Sequence, residues 1–447
     1  MEKKMRIILY ILSVLAIIGM IVAVYAAAKR QGTEATFAPE STEVLSQADA
    51  GTGAGVEDGE GQAEDKTGTG AGVEDGEGQA EDKTGTAAEN GEGQAEDRTG
   101  TDGADGKEQA DDVAEAEDGR PPQSAAGTDA DTDGEVTILF TGDVLFANAF
   151  KAGYDAKGIE GVVEKELLAE LNDADILMVN NEFPYSDRGV PMENKQFTFR
   201  CSPSYVKALN EMGVDVVSLA NNHTLDYGKE ALSDTFTTLD GAGILYGGAG
   251  ESIERAEEVQ IIEVNGKKYG FLAVSRVIPV ADWKVENATP GIFSCYDDTR
   301  LTELVAEAKK ECDFLAVYPH WGVEYAAYPE SYQTKIAEHC IEAGADLIVG
   351  SHTHCLQGVS YIDGKPVFYS LGNFVFGQNI DRSAILKVTV DASGNVSYQF
   401  LPTYAAGGVT YLAKGERAAQ ICQYLDGISD ASVAADGSVT ADGSVTE

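Results

Sequence analysis

From about residue 135 onward, apolar and polar positions fall into short alternating blocks. VTILFTGDV (136–144) is an apolar, β-branched run that stops at Gly142-Asp143, and it predicts a strand. Runs of the same kind recur at ADILMVNNE (174–182), VDVVSLANNH (214–223), FLAVYPHWG (314–322), DLIVGSHTH (346–354) and PVFYSLGNFVF (366–376). Between them the apolar spacing changes to that of a helix. Val162, Val163, Leu167, Leu168 and Leu171 predict a helix over 159–172, and further helices are predicted over 204–212, 227–242, 299–312 and 331–343. Two stretches read as hairpins: 259–275, with Asn265-Gly266 as its turn, and AILKVTVDASGNVSYQF (384–400). Alternating strands and helices, with continuously apolar strands, predict an α/β domain whose sheets are covered on their faces. The hairpins predict mixed rather than purely parallel sheets.

The rest of the chain follows other rules. Residues 31–134 carry 29 Asp/Glu against 5 Lys/Arg and almost no aromatics, so this segment cannot bury enough apolar surface to offset its chain entropy. It is expected to be a disordered acidic linker. GTGAGVEDGEGQAEDKT at 51–67 recurs unchanged at 68–84, but the unit has no apolar face to stack, so it suits an extended tether rather than a solenoid. The formal net charge of −43 argues against nucleic acid as a partner, because phosphates would be repelled. At the N-terminus a basic start precedes Ile7 to Ala28, a run of 22 uncharged residues. About 20 suffice to cross a bilayer as a helix. Residues 1–30 are therefore expected to be a single-pass signal anchor, with the remainder outside the cell membrane. A folded domain is expected over 135–420. The small polar repeat ADGSVTADGSVTE closes the chain, and a disordered tail is expected over 421–447. Six cysteines show no CxxC spacing; paired and free states both remain open.

Polar residues collect where the strands end: Gly142-Asp143, Asn180-Asn181-Glu182, Asn221-Asn222-His223 with Asp226 beyond, His320-Trp321-Gly322 with Glu324 beyond, His352-Thr353-His354, and Gly372-Asn373. Ligands of α/β folds bind at the carboxyl ends of strands. Four of the five histidines lie at such ends; His339 falls in a predicted helix and is taken as structural or solvent-facing. A single strand-end His is commonly a core residue with both ring nitrogens satisfied, and a single Asn or Asp is commonly a cap. Six polar ends with four histidines instead suit a shared site. Imidazole and carboxylate together are ligands for divalent Mn, Zn or Fe.

The ordered set GDV, VNNEFP, SLANNHTLDYG, HWGVEY, GSHTH and SLGNFVF resembles the CapA family of poly-γ-glutamate capsule synthesis proteins, which is similar in turn to the calcineurin-like metallophosphoesterases. The resemblance spans about 136–405. It implies a four-layer αββα sandwich of two mixed sheets, and one or two metal ions held by Asp143, Asn180, Glu182, Asn222, His320, His352 and His354. His223 would stabilise developing charge, with Asp226 and Glu324 assisting and Asn373 meeting the substrate. Two departures from the superfamily pattern stand out. Asp143-Val144-Leu145 lacks the usual second histidine, and Glu182, helped by Asn180, replaces a bridging aspartate. The implied function is capsule polymer synthesis or export, with hydrolysis of a phosphoester or polymer bond. The alternative is a non-catalytic, polymer-binding subunit of a capsule synthase, working beside membrane subunits.

Overall fold

A computed structural model describes residues 134–441. The predicted membrane anchor and acidic linker lie outside these residues, as do the last six of the expected tail. Among the described residues no helix is long and apolar enough to cross a membrane.

The first half of the domain runs β1 (Val136–Val144), α1 (Asn148–Lys157), α2 (Lys165–Asn172), β2 (Ile176–Asn181), α3 (Lys207–Glu211), β3 (Val216–Ser218), α4 (Gly228–Ala242), β4 (Leu245–Gly247), β5 (Ala249–Gly250), α5 (Ile253–Ala256), β6 (Gln260–Val264), β7 (Lys267–Ser275) and β8 (Gly291–Ile292). The second half runs α6 (Thr299–Ala308), β9 (Phe314–His320), α7 (Ser331–Glu342), β10 (Leu347–Val349), β11 (Leu356–Ile362), β12 (Lys365–Leu371), β13 (Asn373–Val375), β14 (Ile380–Val390), β15 (Val396–Ala406), β16 (Val409–Leu412), α8 (Gly415–Gly427), β17 (Ala431–Val433) and β18 (Ser438–Ala441). The larger sheet has the order β17-β18-β15-β14-β1-β2-β3-β4, with β13 also on β1 and β16 also on β15. The smaller has the order β11-β12-β10-β9-β7-β6. Both are mixed: β1 is parallel to β2 but antiparallel to β14, and β10 is parallel to β9 and β12 while β11 runs against β12.

Three apolar clusters define the layering. Strand residues alternate between two faces, so Ile138 and Phe140 of β1 face the other sheet while Leu139 faces helices. Between the sheets lie Phe140, Met178, Phe271, Tyr318, Phe368 and Phe400; Phe140 and Phe271 meet across the gap at 6.0 Å between ring centroids. On the outer side of the larger sheet, Phe150, Leu167, Leu209, Leu232 and Leu239 from α1 to α4 pack on Leu139, Leu177 and Val217. On the outer side of the smaller sheet, Leu301, Val305, Ile336 and Ile341 from α6 and α7 pack on Leu272, Leu315 and Ile348. Each such fully buried side chain contributes about 1.5–3 kcal/mol. The result is helix, sheet, sheet, helix.

Two expectations are corrected. The predicted helix over 159–172 begins only at Lys165; a separate helix, α1, occupies 148–157, which the apolar spacing did not reveal. The expected disordered tail from 421 is ordered as far as 441. Ile421, Cys422 and Leu425 of α8 enter the inter-sheet core, and Val433 and Val439 of the β17–β18 hairpin join them. β18 adds to the sheet by pairing with β15, and Gly437 makes the turn at φ +88°, where a β-carbon would fall 2.1 Å from Phe400 O. All six cysteines are free thiols, five of them buried.

Candidate functional site

Strand register assembles the site. Parallel pairing sets Asp143 beside Asn180 on β2 and beside Asn373 on β13. A β-carbon at Gly142 would fall 1.7 Å from Gly372 O, so only glycine lets β1 and β13 close to the 3.0 Å bond between Asp143 N–H and Gly372 O. In the smaller sheet His320 ends β9 beside Ser275 and bridges to Ser351. The ends of the two central sheets thus face each other, and ligand atoms of Asp143, Glu182 and His320 all lie within 4.8 Å of one another. All three residues are fully buried.

Asn180 enters this cluster as a hydrogen-bond donor. Its amide nitrogen donates to Asp143 Oδ1 at 2.8 Å and to Glu182 Oε1 at 3.3 Å, while its oxygen accepts from Asn221 at 3.1 Å. Two buried carboxylates need donors, and Asn221 holds the carboxamide in the orientation that supplies one. Asn222 Oδ1 lies 2.9 Å from His320 Nε2, and His320 Nδ1 lies 3.0 Å from Ser351 Oγ. The His352 ring is 4.6 Å from that of His320, and the His352 N–H points to Asp143 Oδ1 at 3.4 Å. His354 Nδ1 sits 3.3 Å from Asp143 Oδ2 and 2.8 Å from Asn373 Oδ1. Asn373 thereby orients His354. His352 and His354 both have left-handed backbones, at φ +96° and +57°. Such conformations cost of order 1–3 kcal/mol and persist where surroundings enforce them.

His223 flanks the cluster. Its Nδ1 is 2.7 Å from Asp226 Oδ2, and Asp226, fully buried, also accepts from the Phe199 N–H at 2.7 Å. Asp226 lies behind His223 and orients it. Lys195 was missed in the sequence. Its ammonium bonds Asn222 O at 2.5 Å, contacts Asp226 Oδ1 and lies 3.0 Å from His223 Nδ1. A lone lysine in the loop after β2 carries no pattern that could have announced this. Asn221 and Ser351, which orient Asn180 and His320, were visible only as neighbours of site residues. Glu324 is exposed on the loop after β9, and its charge reaches Glu182 and Lys195. His339 bonds Asp298 at 2.8 Å on the helical layer, away from this cluster.

Burial dominates the electrostatics. It holds the Glu182 carboxyl well above the usual range, and Asp143 adds to the effect. Burial and then His352 push His320 well down, and burial with His354 lowers His352 to about 4. His354 behaves oppositely. Burial opposes its charge, but the contact with Asp143 and the field of Glu182 prevail and raise it to about 10. Burial also lowers His223 and Lys195, against the pull of Asp226 on both.

Within the cluster, Glu182 Oε2 and His352 Nδ1 are buried without a hydrogen-bond partner, and Asp143 Oδ2 has only the 3.3 Å contact with His354 Nδ1. Buried polar atoms are seldom left so. The two carboxylates of Asp143 and Glu182 with the imidazole of His320, their ligand atoms within 4.8 Å of one another, form a donor set that fits a divalent metal ion.

Residues 137–378 match the family profile of the bacterial capsule synthesis protein PGA_cap, more than half of the chain. The chain belongs to this family. It is 29% identical over 276 residues to the PGA biosynthesis protein CapA of Bacillus subtilis (strain 168), covering 61% of this chain and 72% of that one. It is 30% identical over 277 residues to the capsule biosynthesis protein CapA of Bacillus anthracis, covering 60% and 67%. A solved structure of the Thermus thermophilus sulfate thiohydrolase SoxB superimposes at TM-score 0.37 with 14% identity, covering 60% of this chain and 56% of that one. At that level of overlap neither fold nor activity transfers. The PGA_cap match contains every strand end that contributes to the cluster, from Asp143 to Asn373.

Proposed function

We propose that this protein works outside the cell membrane in making or exporting a capsule polymer such as poly-γ-glutamate, and that its strand-end cluster is a metallophosphoesterase-like centre that hydrolyses a phosphoester or polymer bond. The apolar run Ile7–Ala28 would anchor it, and the acidic linker would let the domain reach away from the bilayer. Capsule synthase membrane subunits are the partners this reading implies. The observation that carries the catalytic part is that ligand atoms of buried Asp143, Glu182 and His320 lie within 4.8 Å of one another, with Glu182 Oε2 left without a hydrogen bond. Asp143, Glu182 and His320 would hold the ion, joined by Asn222, His352 and His354. A bound Mn, Zn or Fe ion supplies Lewis-acid polarisation and an activated water. Asn180 keeps both carboxylates in place through its two donated bonds. His223, tied through Nδ1 to Asp226, keeps Nε2 for proton transfer to a leaving group.

The test is metal content of the full-length chain by mass spectrometry after loading with Mn²⁺, Zn²⁺ or Fe²⁺, beside the His352→Ala/His354→Ala variant. Near-stoichiometric metal that the variant loses is expected, together with phosphodiesterase activity that His223→Ala abolishes. Absence of metal from both proteins would sink the catalytic reading.

A second reading, a non-catalytic assembly subunit, is favoured by one feature. The Asn180 bonds and the Asn222–His320 contact close much of the network without an ion. Under that reading, an Asp143→Ala/His352→Ala protein restores capsule to a deletion strain in full.

A further inference from the structure

The loop that follows β9 holds three apolar side chains in water beside the site. Val323, Tyr325 and Tyr328 are 50%, 73% and 65% exposed. This loop is not slack. The Tyr325 N–H donates to Thr353 O at 2.8 Å, between the two strand-end histidines in sequence. The buried Gln357 amide donates to Ala326 O at 2.9 Å and to Tyr328 O at 3.0 Å, and is itself held by Gln333 at 3.0 Å. Tyr332 Oη receives the Gly322 N–H at 2.7 Å. Within this frame Tyr325 takes a left-handed backbone at φ +62°, which is a marked outlier for a bulky residue. Strain so enforced, around a side chain that is mostly exposed, points to a role for that side chain outside the fold. The Tyr325 ring lies 6.0 Å from the His354 ring, and Phe376 approaches the same imidazole at 5.1 Å.

We infer that Tyr325 forms a subsite that grips a flat ring attached to the oxyanion held at the centre. This rests on the reading of that centre as an oxyanion-binding metal site and assigns its substrate a ring-bearing group next to the reacting oxyanion. A stacked ring contributes enough for roughly a three- to tenfold gain in affinity. The surrounding bonds involve the backbone of the loop and not the phenol, so the fold has no need of it.

The experiment is calorimetric binding of phenylphosphonate and methylphosphonate to the metal-loaded, full-length chain and to Tyr325→Ala. The two probes share an anion and differ in the ring. Wild type is expected to prefer phenylphosphonate by about three- to tenfold, and Tyr325→Ala to bind both alike. Equal affinity in wild type, or a preference that survives in Tyr325→Ala, overturns the subsite and leaves the metal site standing. No binding of either probe by metal-loaded wild type overturns both. Tyr325→Asn, which accepts the left-handed backbone, is expected to leave the melting midpoint unchanged or higher; a fall would assign the tyrosine to the fold and overturn the inference.

Discussion

Asn180 Nδ2 and Asp143 Oδ1 are 2.8 Å apart at the heart of the cluster, an amide donor set against a buried carboxylate. The same nitrogen reaches Glu182. Converting this donor to a third carboxylate would crowd like charges in a dry site. Asn180→Asp is therefore expected to lower stability by about 3 kcal/mol in the absence of metal. A divalent ion should recover more of the loss in the variant than it adds to wild type. Denaturant titrations with and without Mn²⁺ measure both effects. Equal sensitivity to metal in the two proteins would contradict the role given to Asn180.

Gly142 sets the distance between β1 and β13. Gly142→Ala places a methyl group 1.7 Å from Gly372 O, so one strand must move. A cost of about 3 kcal/mol is expected. Asp143 moves with it, so metal retention should fall together with the melting midpoint. A variant of normal stability and metal content would show that the approach of these strands is not needed.

Asp215 offers a pH test away from the cluster. Burial raises its carboxyl to about 6, despite the Leu177 N–H bond at 2.8 Å. The unfolded carboxyl titrates near about 4. The folded state therefore holds the proton more tightly. Its contribution to stability is full below about pH 4 and is lost as pH rises through about 6. Asp215→Asn removes the buried charge while its side-chain oxygen still accepts from Leu177. The variant should match wild type near pH 4 and exceed it by about 2 kcal/mol at pH 7.5. Urea midpoints across that range read the difference; a constant offset would contradict it.

The β17–β18 hairpin gives a fourth test. Ala431, Val433 and Val439 are buried against the inter-sheet core. Truncation after Asp430 should expose Phe400 and Leu425 and lower stability by about 3 kcal/mol. An unchanged thermal midpoint would mean that the hairpin adds nothing to the core.

Much of the site was legible because its chemistry coincides with local pattern. An apolar strand that breaks into Asp143, His320 or His352 carries its own signal, and the parallel arrangement of such strands brings their ends together. What each residue does there was less legible. Asn180 and Glu182 stand in the same short stretch, yet one donates and the other accepts, and the Asn180 amide is turned to donate by Asn221 from the loop after β3. Glu324 follows the His320 strand as closely as any site residue, but its loop is drawn toward Thr353 and Gln357, leaving the carboxylate exposed.

By itself the sequence determined the alternation of strands and helices, the mixed sheets and the identity of most polar strand ends, since these depend on periodicity and on residue type. Tertiary structure alone decided that Lys195 reaches His223, that Asp226 and Asn373 orient histidines, and that the first unit of a polar-looking C-terminal repeat becomes a strand that pairs with residues just before it. Those outcomes depend on partners far away in the chain. A carboxamide has no preferred direction, a lysine no preferred partner and a short Val-Thr segment no fixed structure until a neighbouring strand supplies the missing hydrogen bonds and buries the apolar face.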